Sequence, residues 1–340
     1  MQEDIVNTLL KKVLENGVGT DNSINEFWKG QLEELNARIK ISLGHHPSTE
    51  DILNALGYNE DRFPEGTISN REFPRIKDLI EFVQDPLLNQ LKMFHTSLPV
   101  DKSDVEHLCC LYFLQRKWLL DEYLEFVDSL GLVSSMPLIR HWWYYRKLRS
   151  FRFSHLPIDR PLRVLEIGAG SGFFASLILR DDSWKKDYCI VDLPEMLLNS
   201  VINLTESFPE FPPYLNHFEP NAGKGIYFFE TSNIELVATG SIDIALNFNS
   251  LMEMQESTRD YYIQQIYRTC KPGALFYNVN RMQRSMANGS STYQNNPLQY
   301  PYHESDVILE WEPDEFQQDY RSRFAYGSTE SFAISSVRKI

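Results

Sequence analysis

The sequence predicts an α/β fold, in which a mostly parallel, doubly wound sheet follows a helical region. Two observations lead to this prediction. Through the first 150 residues, apolar residues recur at the helical period. Beyond Pro161, short apolar runs of β type alternate with helical patterns, which is typical of parallel strands joined by helices. We therefore expect a helical N-terminal domain over residues 1–150 and a sheet domain over residues 151–340.

The N-terminal helices are predicted from three apolar patterns. Residues 5–13 and residues 76–83 each carry an apolar stripe at helical spacing. A longer apolar-rich run, residues 105–130, ends at Gly131, and glycine is the residue that favours a helix C-terminus. No functional motif is evident in this half of the chain.

The predicted sheet has seven strands. Five apolar runs predict its parallel part: 163–167 (RVLEI), 188–191 (YCIV), 226–229 (IYFF), 242–248 (IDIALNF) and 274–279 (ALFYNV). Helical patterns at 173–179, 196–203 and 259–270 separate most of them. Two later runs, 316–324 and 332–337, flank a turn at Gly327, and we expect them to pair as a terminal antiparallel pair.

Composition and charge exclude several classes of protein. The chain has 340 residues, of which 42% are hydrophobic, so disorder is excluded as its main state. With a net charge of −14, the chain lacks the excess of basic residues that is typical of nucleic-acid-binding proteins. The four cysteines show no CxxC spacing, so we expect buried thiols in a reducing cytoplasm and no metal site. No stretch approaches the roughly 20 apolar residues of a membrane span, and we expect no membrane partner.

A glycine-rich loop follows the first predicted strand. Gly168, Gly170 and Gly172 are spaced GxGxG, and Phe173 stands where a dinucleotide-binding loop has its last glycine. Glu166 precedes the loop by two residues. A carboxylate is unfavourable beside a pyrophosphate but favourable beside an ammonium or a sulfonium. An ordinary tight turn without a ligand is the alternative interpretation.

An acid ends the second predicted strand. Asp192 lies 20 residues past Gly172, where a carboxylate can accept hydrogen bonds from both ribose hydroxyls of a nucleoside. The alternative for Asp192 is a helix N-cap before Pro194. The ligand indicated by loop and acid together has a ribose and a cationic group, which S-adenosylmethionine fits and NAD fits poorly.

At these residues the chain resembles the class I S-adenosylmethionine-dependent methyltransferases. Within that class it is similar to a family of sugar O-methyltransferases from bacterial polysaccharide and secondary-metabolite clusters. The resemblance covers about residues 140–340 and depends on the segments VLEIGAGSG, IVDLPEML, NFNSLMEM and CKPGALFYNVNR. It implies a Rossmann-like sheet, S-adenosyl-L-methionine as cofactor and methyl transfer to a sugar hydroxyl.

The resemblance also implies which residues form the cofactor site. The methionine part would lie against the glycine loop, the ribose against an acid, and the adenine and sulfonium against the loops after the next strands. Gly168, Gly170 and Gly172 would contact the methionine part, with Glu166 near its amino group, and Asp192 would bind the ribose. Leu193, Thr231 and Ser232 would lie at the adenine. Asn247 and Asn249 would lie near the sulfonium and the acceptor. Glu230 is a further candidate in the loop after the third strand.

A sugar hydroxyl keeps its proton at neutral pH, so its methylation needs a general base. Candidates lie past the carboxyl ends of the fourth and fifth strands, where open α/β sheets bind ligands. They are Glu253 and His303, with Asn249 beside the acceptor. The alternatives are a helix-terminal charge for Glu253 and a surface position for His303. Residues 142–145 (WWYY) could stack on a sugar or pack in the core.

The predicted function is therefore a cytoplasmic O-methyltransferase acting on a sugar or a glycosylated metabolite. A methyltransferase for another small molecule and a non-catalytic S-adenosylmethionine-binding regulatory protein are the alternatives. Phe173 disfavours a nicotinamide-dependent reductase. The helical N-terminal region is expected to cover the acceptor or to form a homodimer.

Overall fold

The structure is a computed structural model that describes residues 2–16, 102–132, 134–157, 159–182, 184, 186–219, 224–282, 284–285, 292–293, 296–323 and 333–340. The helices within these ranges are α1 Gln2–Asn16, α2 Lys102–Arg116, α3 Leu120–Ser129, α4 Met136–His155, α5 Phe173–Arg180, α6 Pro194–Ser207, α7 Glu256–Thr269 and α8 Glu315–Arg323. The strands are β1 Leu162–Ile167, β2 Lys186–Asp192, β3 Pro213–Leu215, β4 Gly225–Glu230, β5 Ile242–Phe248, β6 Cys270–Arg281, β7 Arg284–Ser285, β8 Thr292–Tyr293, β9 Val307–Pro313 and β10 Ala333–Lys339. Short 3-10 helices lie at Thr231–Leu236, Leu251–Glu253 and Pro297–Gln299.

Within the described residues, the main sheet has eight strands in the order β3-β4-β2-β1-β5-β6-β10-β9. The six strands from β3 to β6 are parallel, and β10 runs antiparallel to both β6 and β9. The predicted mostly parallel sheet with an antiparallel terminal pair is confirmed, although it has one strand more than predicted. Because the strand order reverses at β1, the crevice between the carboxyl ends of β1 and β5 is the expected ligand site.

The prediction of a strand over residues 316–324 is wrong. Helix α8 covers most of that run, and β9 at Val307–Pro313 pairs with β10 instead. The helix begins where the Asp314 carboxylate accepts a hydrogen bond from the Gln317 N–H at 2.8 Å. Strand β9 escaped prediction because it is an edge strand whose side chains are half-buried or exposed, and its two glutamates and Pro313 interrupt the apolar run that would predict a strand.

The N-terminal helices are partly described. Residues 76–83 lie outside the described residues. The run over residues 105–130 forms two helices, because Trp118 has a φ of +60° and interrupts the helical path. Gly131 ends α3 with a φ of +61°, as predicted. Residue 150 lies inside α4, and the division into two domains stays a prediction.

Two of the described N-terminal helices pack directly on the helices that cover one face of the sheet. Helix α1 contacts α6, and α4 contacts α5. One apolar cluster joins these four helices to that face, and a second cluster lies between the opposite face and α7. The WWYY segment belongs to the first cluster, so it packs in the core rather than lining a sugar site. All four cysteines are buried. No helix of the described ranges is long and apolar enough to cross a membrane.

Candidate functional site

The glycine loop between β1 and α5 excludes side chains for two physical reasons. Gly168 has a φ of +74°, and a Cβ there would lie 2.2 Å from Ser250 Oγ. Gly172 has a φ of +77°, and a Cβ there would lie 2.8 Å from Leu204 Cδ1. Backbone of this kind is strained for any residue with a side chain. The loop therefore packs closely against the segment after β5 and against α6, and its backbone borders the crevice.

Asp192 connects the end of β2 to the glycine loop. Its carboxylate accepts hydrogen bonds from the N–H groups of Gly170 and Leu193, both at 2.8 Å. Burial raises the pKa of Asp192 to about 7; the two backbone bonds oppose this shift, and the negative charges of Glu195 and Glu253 add to it. Leu193, not Asp192, occupies the N-cap position of α6, so the capping alternative for Asp192 is not what the structure shows.

A cavity of about 380 Å³ opens at this crevice. That volume falls in the range of small-molecule and cofactor sites. Seven predicted site residues line it: Gly168, Gly170, Asp192, Leu193, Thr231, Asn249 and Glu253. Apolar and aromatic side chains form much of the remaining wall, among them Phe173, Met196, Phe248 and Tyr262.

Five predicted residues are not among those that line the cavity, namely Glu166, Gly172, Ser232, Asn247 and His303. Glu166 is buried behind the glycine loop, where its carboxylate accepts a hydrogen bond from the Tyr188 hydroxyl at 2.7 Å. Burial raises its pKa to about 8, and the negative charge of Asp192 contributes. Gly172 serves as the N-cap residue of α5, and Ser232 is exposed.

Asn247 holds the segment after β5 in place instead of bordering the cavity. Its amide nitrogen donates to the Ile167 carbonyl at 2.8 Å, and its oxygen accepts from the Leu251 N–H at 3.2 Å. Asn249 does line the cavity, with a φ of +63°, and its side-chain oxygen accepts from the Gln317 amide at 2.8 Å. Asn247 therefore positions the loop that carries Asn249, and Asn249 lines the cavity.

The structure places His303 and Glu230 elsewhere. His303 is exposed, and its ring stacks on Tyr267 with the centroids 3.7 Å apart. Glu230 forms an ion pair with Lys12 of α1 and accepts a hydrogen bond from Asn216 at 2.6 Å. His303 is therefore not brought to the cavity as a base. Residues 286–291 and 294–295 of the preceding polar loop lie outside the described residues.

Two residues of α4 line the cavity without having been predicted, Arg140 and His141. The His141 ring stacks on Phe173, with the centroids 5.4 Å apart. Burial lowers the pKa of His141 to about 3, and the charge of Arg140 acts in the same direction. Since neutral His141 Nδ1 lies 2.7 Å from the Pro137 carbonyl oxygen, it must be the donor there, which leaves Nε2 as an acceptor. Two basic residues within the aromatic segment IRHWWYY were the only sequence signal for this pair.

Comparisons with known proteins give structural likeness only. No protein-family model and no curated protein matches the chain. Similar solved structures include the [4+2]-cyclase SpnF, at 17% identity and a TM-score of 0.38 over 57% of this chain and 79% of that one. An S-adenosylmethionine-dependent methyltransferase from Mesorhizobium loti is 14% identical, with a TM-score of 0.38 over 56% of this chain and 96% of that one.

A third similar structure is phosphoethanolamine N-methyltransferase 2 of Haemonchus contortus, solved with S-adenosyl-L-methionine. It is 13% identical, with a TM-score of 0.37 over 57% of this chain and 51% of that one. Structures similar to this chain thus include S-adenosylmethionine-dependent methyltransferases. At these identities and TM-scores, the likeness carries no argument about the reaction or the acceptor.

Proposed function

We propose that this protein is an S-adenosylmethionine-dependent methyltransferase that methylates a hydroxyl of a sugar or a glycosylated metabolite. The observation that supports the donor is the joint placement of Asp192 and the glycine loop. Asp192 lines the cavity and is hydrogen-bonded to the backbone of Gly170, so acid and loop form one surface.

The residues present fit this donor. Each oxygen of Asp192 accepts one backbone hydrogen bond and keeps a lone pair, which suits the two hydroxyls of a ribose. Asp192 and Glu253 also give the cavity negative charge, with Glu195 close enough to raise the pKa of Asp192. Next to these acids an ammonium or a sulfonium is favoured over a pyrophosphate, and Arg140 and Arg281 add two positive charges to the same lining. When bound, the donor supplies an electrophilic methyl group.

Residues that line the cavity can accept the proton that the acceptor hydroxyl loses during methyl transfer. Glu253 and His141 both line the cavity, and each is a candidate base. Burial keeps the His141 ring neutral at pH 7, so its Nε2 can accept a hydrogen bond from the acceptor hydroxyl, but its lowered pKa makes it a weak base. Asn249 and Gln317 present amides that can orient a hydroxyl. Alignment at close approach can be worth about 7–11 kcal/mol to such a transfer.

The sugar part of the proposal rests on the sequence resemblance. A methyltransferase for another small molecule and a regulatory protein that only binds the donor remain its alternatives. The cytoplasmic location and the role of the N-terminal helices, as a cover over the acceptor or as a homodimer contact, are also proposals.

Calorimetric titration tests the donor. We expect binding of S-adenosylmethionine and S-adenosylhomocysteine but not of NADH, and the absence of heat with both adenosyl compounds would overturn the proposal. Transfer of a labelled methyl group to a panel of sugars and nucleotide sugars then tests the reaction. Donor binding without turnover on the panel would favour the regulatory alternative.

The base is tested by Glu253→Gln and His141→Asn. The second variant keeps a donor for the Pro137 carbonyl and removes the Nε2 acceptor. Replacing the residue that acts as base should lower kcat and leave the affinity for S-adenosylhomocysteine unchanged. If neither variant slows transfer at saturating donor, neither residue is the base.

A further inference from the structure

Arg140 brings to the cavity a positive charge that no acid of the described residues neutralises. Its side chain lines the cavity, and its Nε is buried without a hydrogen-bond partner. Within the described ranges, no carboxylate forms an ion pair with this guanidinium. A guanidinium keeps its charge in a protein, and a buried donor that stays unsatisfied costs free energy. An anionic group of a bound ligand would provide the missing partner.

Arg140 lies on the side of the cavity where β5 ends. Arg140 and Tyr144 are four residues apart on α4, so their side chains lie on the same face of the helix. The Tyr144 ring stacks on Phe248, the last residue of β5, with the centroids 5.0 Å apart. Burial raises the pKa of Tyr144, the negative charge of Asp314 raises it further, and the positive charge of Arg140 opposes both effects. The guanidinium is therefore near the Tyr144 hydroxyl.

Hydrogen bonds connect the Tyr144 hydroxyl to the lining of the cavity. The Gln317 amide nitrogen donates to this hydroxyl at 3.1 Å and to the Asn249 side-chain oxygen at 2.8 Å. Because the Asn249 oxygen is held as an acceptor, its amide nitrogen remains as a donor. Asn249 lines the cavity, so this donor lies on the same side as Arg140. A fixed positive charge with a neighbouring N–H donor suits an anion.

The negative charges of the cavity act at another place. Burial raises the pKa of Asp192, and the negative charge of Glu253 adds to this shift, so the two acids are near each other where we place the ribose of the donor. Arg281 ends β6, which pairs with β5, and it adds a second positive charge beside the end of β5. Charges of opposite sign are therefore separated along the lining, and an anion is attracted to the side of the arginines.

We propose that the acceptor is an anion, a sugar that carries a carboxylate or a phosphate group, and that Arg140 binds this group. The inference rests on the proposed function and names the class of its acceptor. Arginine suits the role because its planar fork pairs with two oxygens of a carboxylate or a phosphate. The carboxylate of the donor could present the same chemistry, and the experiment separates these sources.

Calorimetry on the protein saturated with S-adenosylhomocysteine tests the charge of the acceptor. Each anionic probe is compared with its neutral parent sugar. D-glucuronate and D-glucose 6-phosphate are compared with D-glucose, and D-galacturonate and D-galactose 6-phosphate with D-galactose. We expect at least one anionic probe to bind about tenfold or more tightly than its parent. A preference confined to the uronates or to the phosphates identifies the anionic group.

Variants test whether Arg140 causes this preference. Arg140→Gln should weaken binding of the preferred anionic probe by about tenfold to hundredfold and change S-adenosylhomocysteine affinity by less than about twofold. Arg140→Lys should recover part of the loss, because it keeps the charge but not the planar fork. Arg146→Gln is the matched control and should keep the preference, because Arg146 is an exposed residue of the same helix that pairs with Glu122.

The outcomes separate the inference from the proposed function. A selective loss in Arg140→Gln supports the inference, and its retained S-adenosylhomocysteine affinity shows that the variant is folded. If no anionic probe binds more tightly than its parent, or if the preference persists in Arg140→Gln, the inference is overturned while the proposed donor site stands. A loss of S-adenosylhomocysteine affinity in Arg140→Gln would assign the arginine to the donor and also overturn it. If the unmodified protein does not bind S-adenosylhomocysteine, the proposed function fails, and the inference fails with it.

Discussion

The packing of Gly168 against Ser250 gives the most direct test of the site's construction. In Gly168→Ala, the new Cβ would lie 2.2 Å from Ser250 Oγ and 2.3 Å from Ser250 Cβ. The residue would also keep a φ of +74°, which disfavours alanine. Two separate costs are therefore expected, one from backbone strain and one from steric overlap.

The magnitudes follow from these two terms. Left-handed backbone costs a residue with a side chain about 1–2 kcal/mol, and overpacking costs about 1–3 kcal/mol. Gly168→Ala should thus lower the free energy of unfolding by about 2–5 kcal/mol. Gly240→Ala is a matched control, because Gly240 has a φ of +61° but nothing within 4 Å of its built Cβ. It should lose only the strain, about 1–2 kcal/mol.

Urea denaturation of the two variants measures these losses, and a Ser250→Gly background separates the terms further. With the serine side chain removed, Gly168→Ala should cost no more than Gly240→Ala. Calorimetry with S-adenosylhomocysteine should show weaker binding for Gly168→Ala alone, because a displaced Ser250 reshapes the cavity. If Gly168→Ala is as stable as Gly240→Ala and binds the probe normally, the packing argument is wrong.

Three further outcomes are expected. Asp192→Asn should weaken binding of both S-adenosylhomocysteine and 5′-methylthioadenosine by about tenfold or more, because a charged ribose acceptor is lost, whereas Glu230→Gln, outside the cavity lining, should leave both affinities unchanged in the same titrations. Because burial raises the pKa of Asp192 to about 7, S-adenosylhomocysteine affinity should fall as the pH is lowered through that value; a flat calorimetric profile between about pH 6 and 8 would contradict this. Glu166 has a pKa raised from 4.5 to about 8, so between these values the folded state binds more protons than the unfolded state, and the free energy of unfolding should decrease as pH rises. In urea titrations at several pH values, Glu166→Gln should make the free energy of unfolding depend less on pH. An unchanged pH dependence would refute the raised pKa of Glu166.

Local patterns were sufficient where a residue acts through its own backbone or strand position. The GxGxG spacing predicts a loop of left-handed glycines, and Gly168, Gly170 and Gly172 all have positive φ. Asp192 could be placed beside that loop because the ends of adjacent parallel strands lie side by side. Such features depend on residues near one another in sequence or on the regular geometry of a sheet.

Side-chain direction was harder to predict, because it depends on what packs around each residue. Asn247 and Asn249 are two residues apart, yet one is anchored to Ile167 and the other borders the cavity. His303 follows the polar loop as expected but stacks on Tyr267, away from the cavity lining.

The sequence by itself determined the alternation of strands and helices, the glycine loop and the acid that faces it. Each of these is encoded by apolar period, backbone freedom or strand register, which short segments specify. Only the tertiary structure brought Arg140 and His141 of α4 to the cavity, because their position requires α4 to pack on α5. Both side chains come from a helix whose sequence shows an aromatic core segment and no motif, so long-range packing alone decided that they line the cavity.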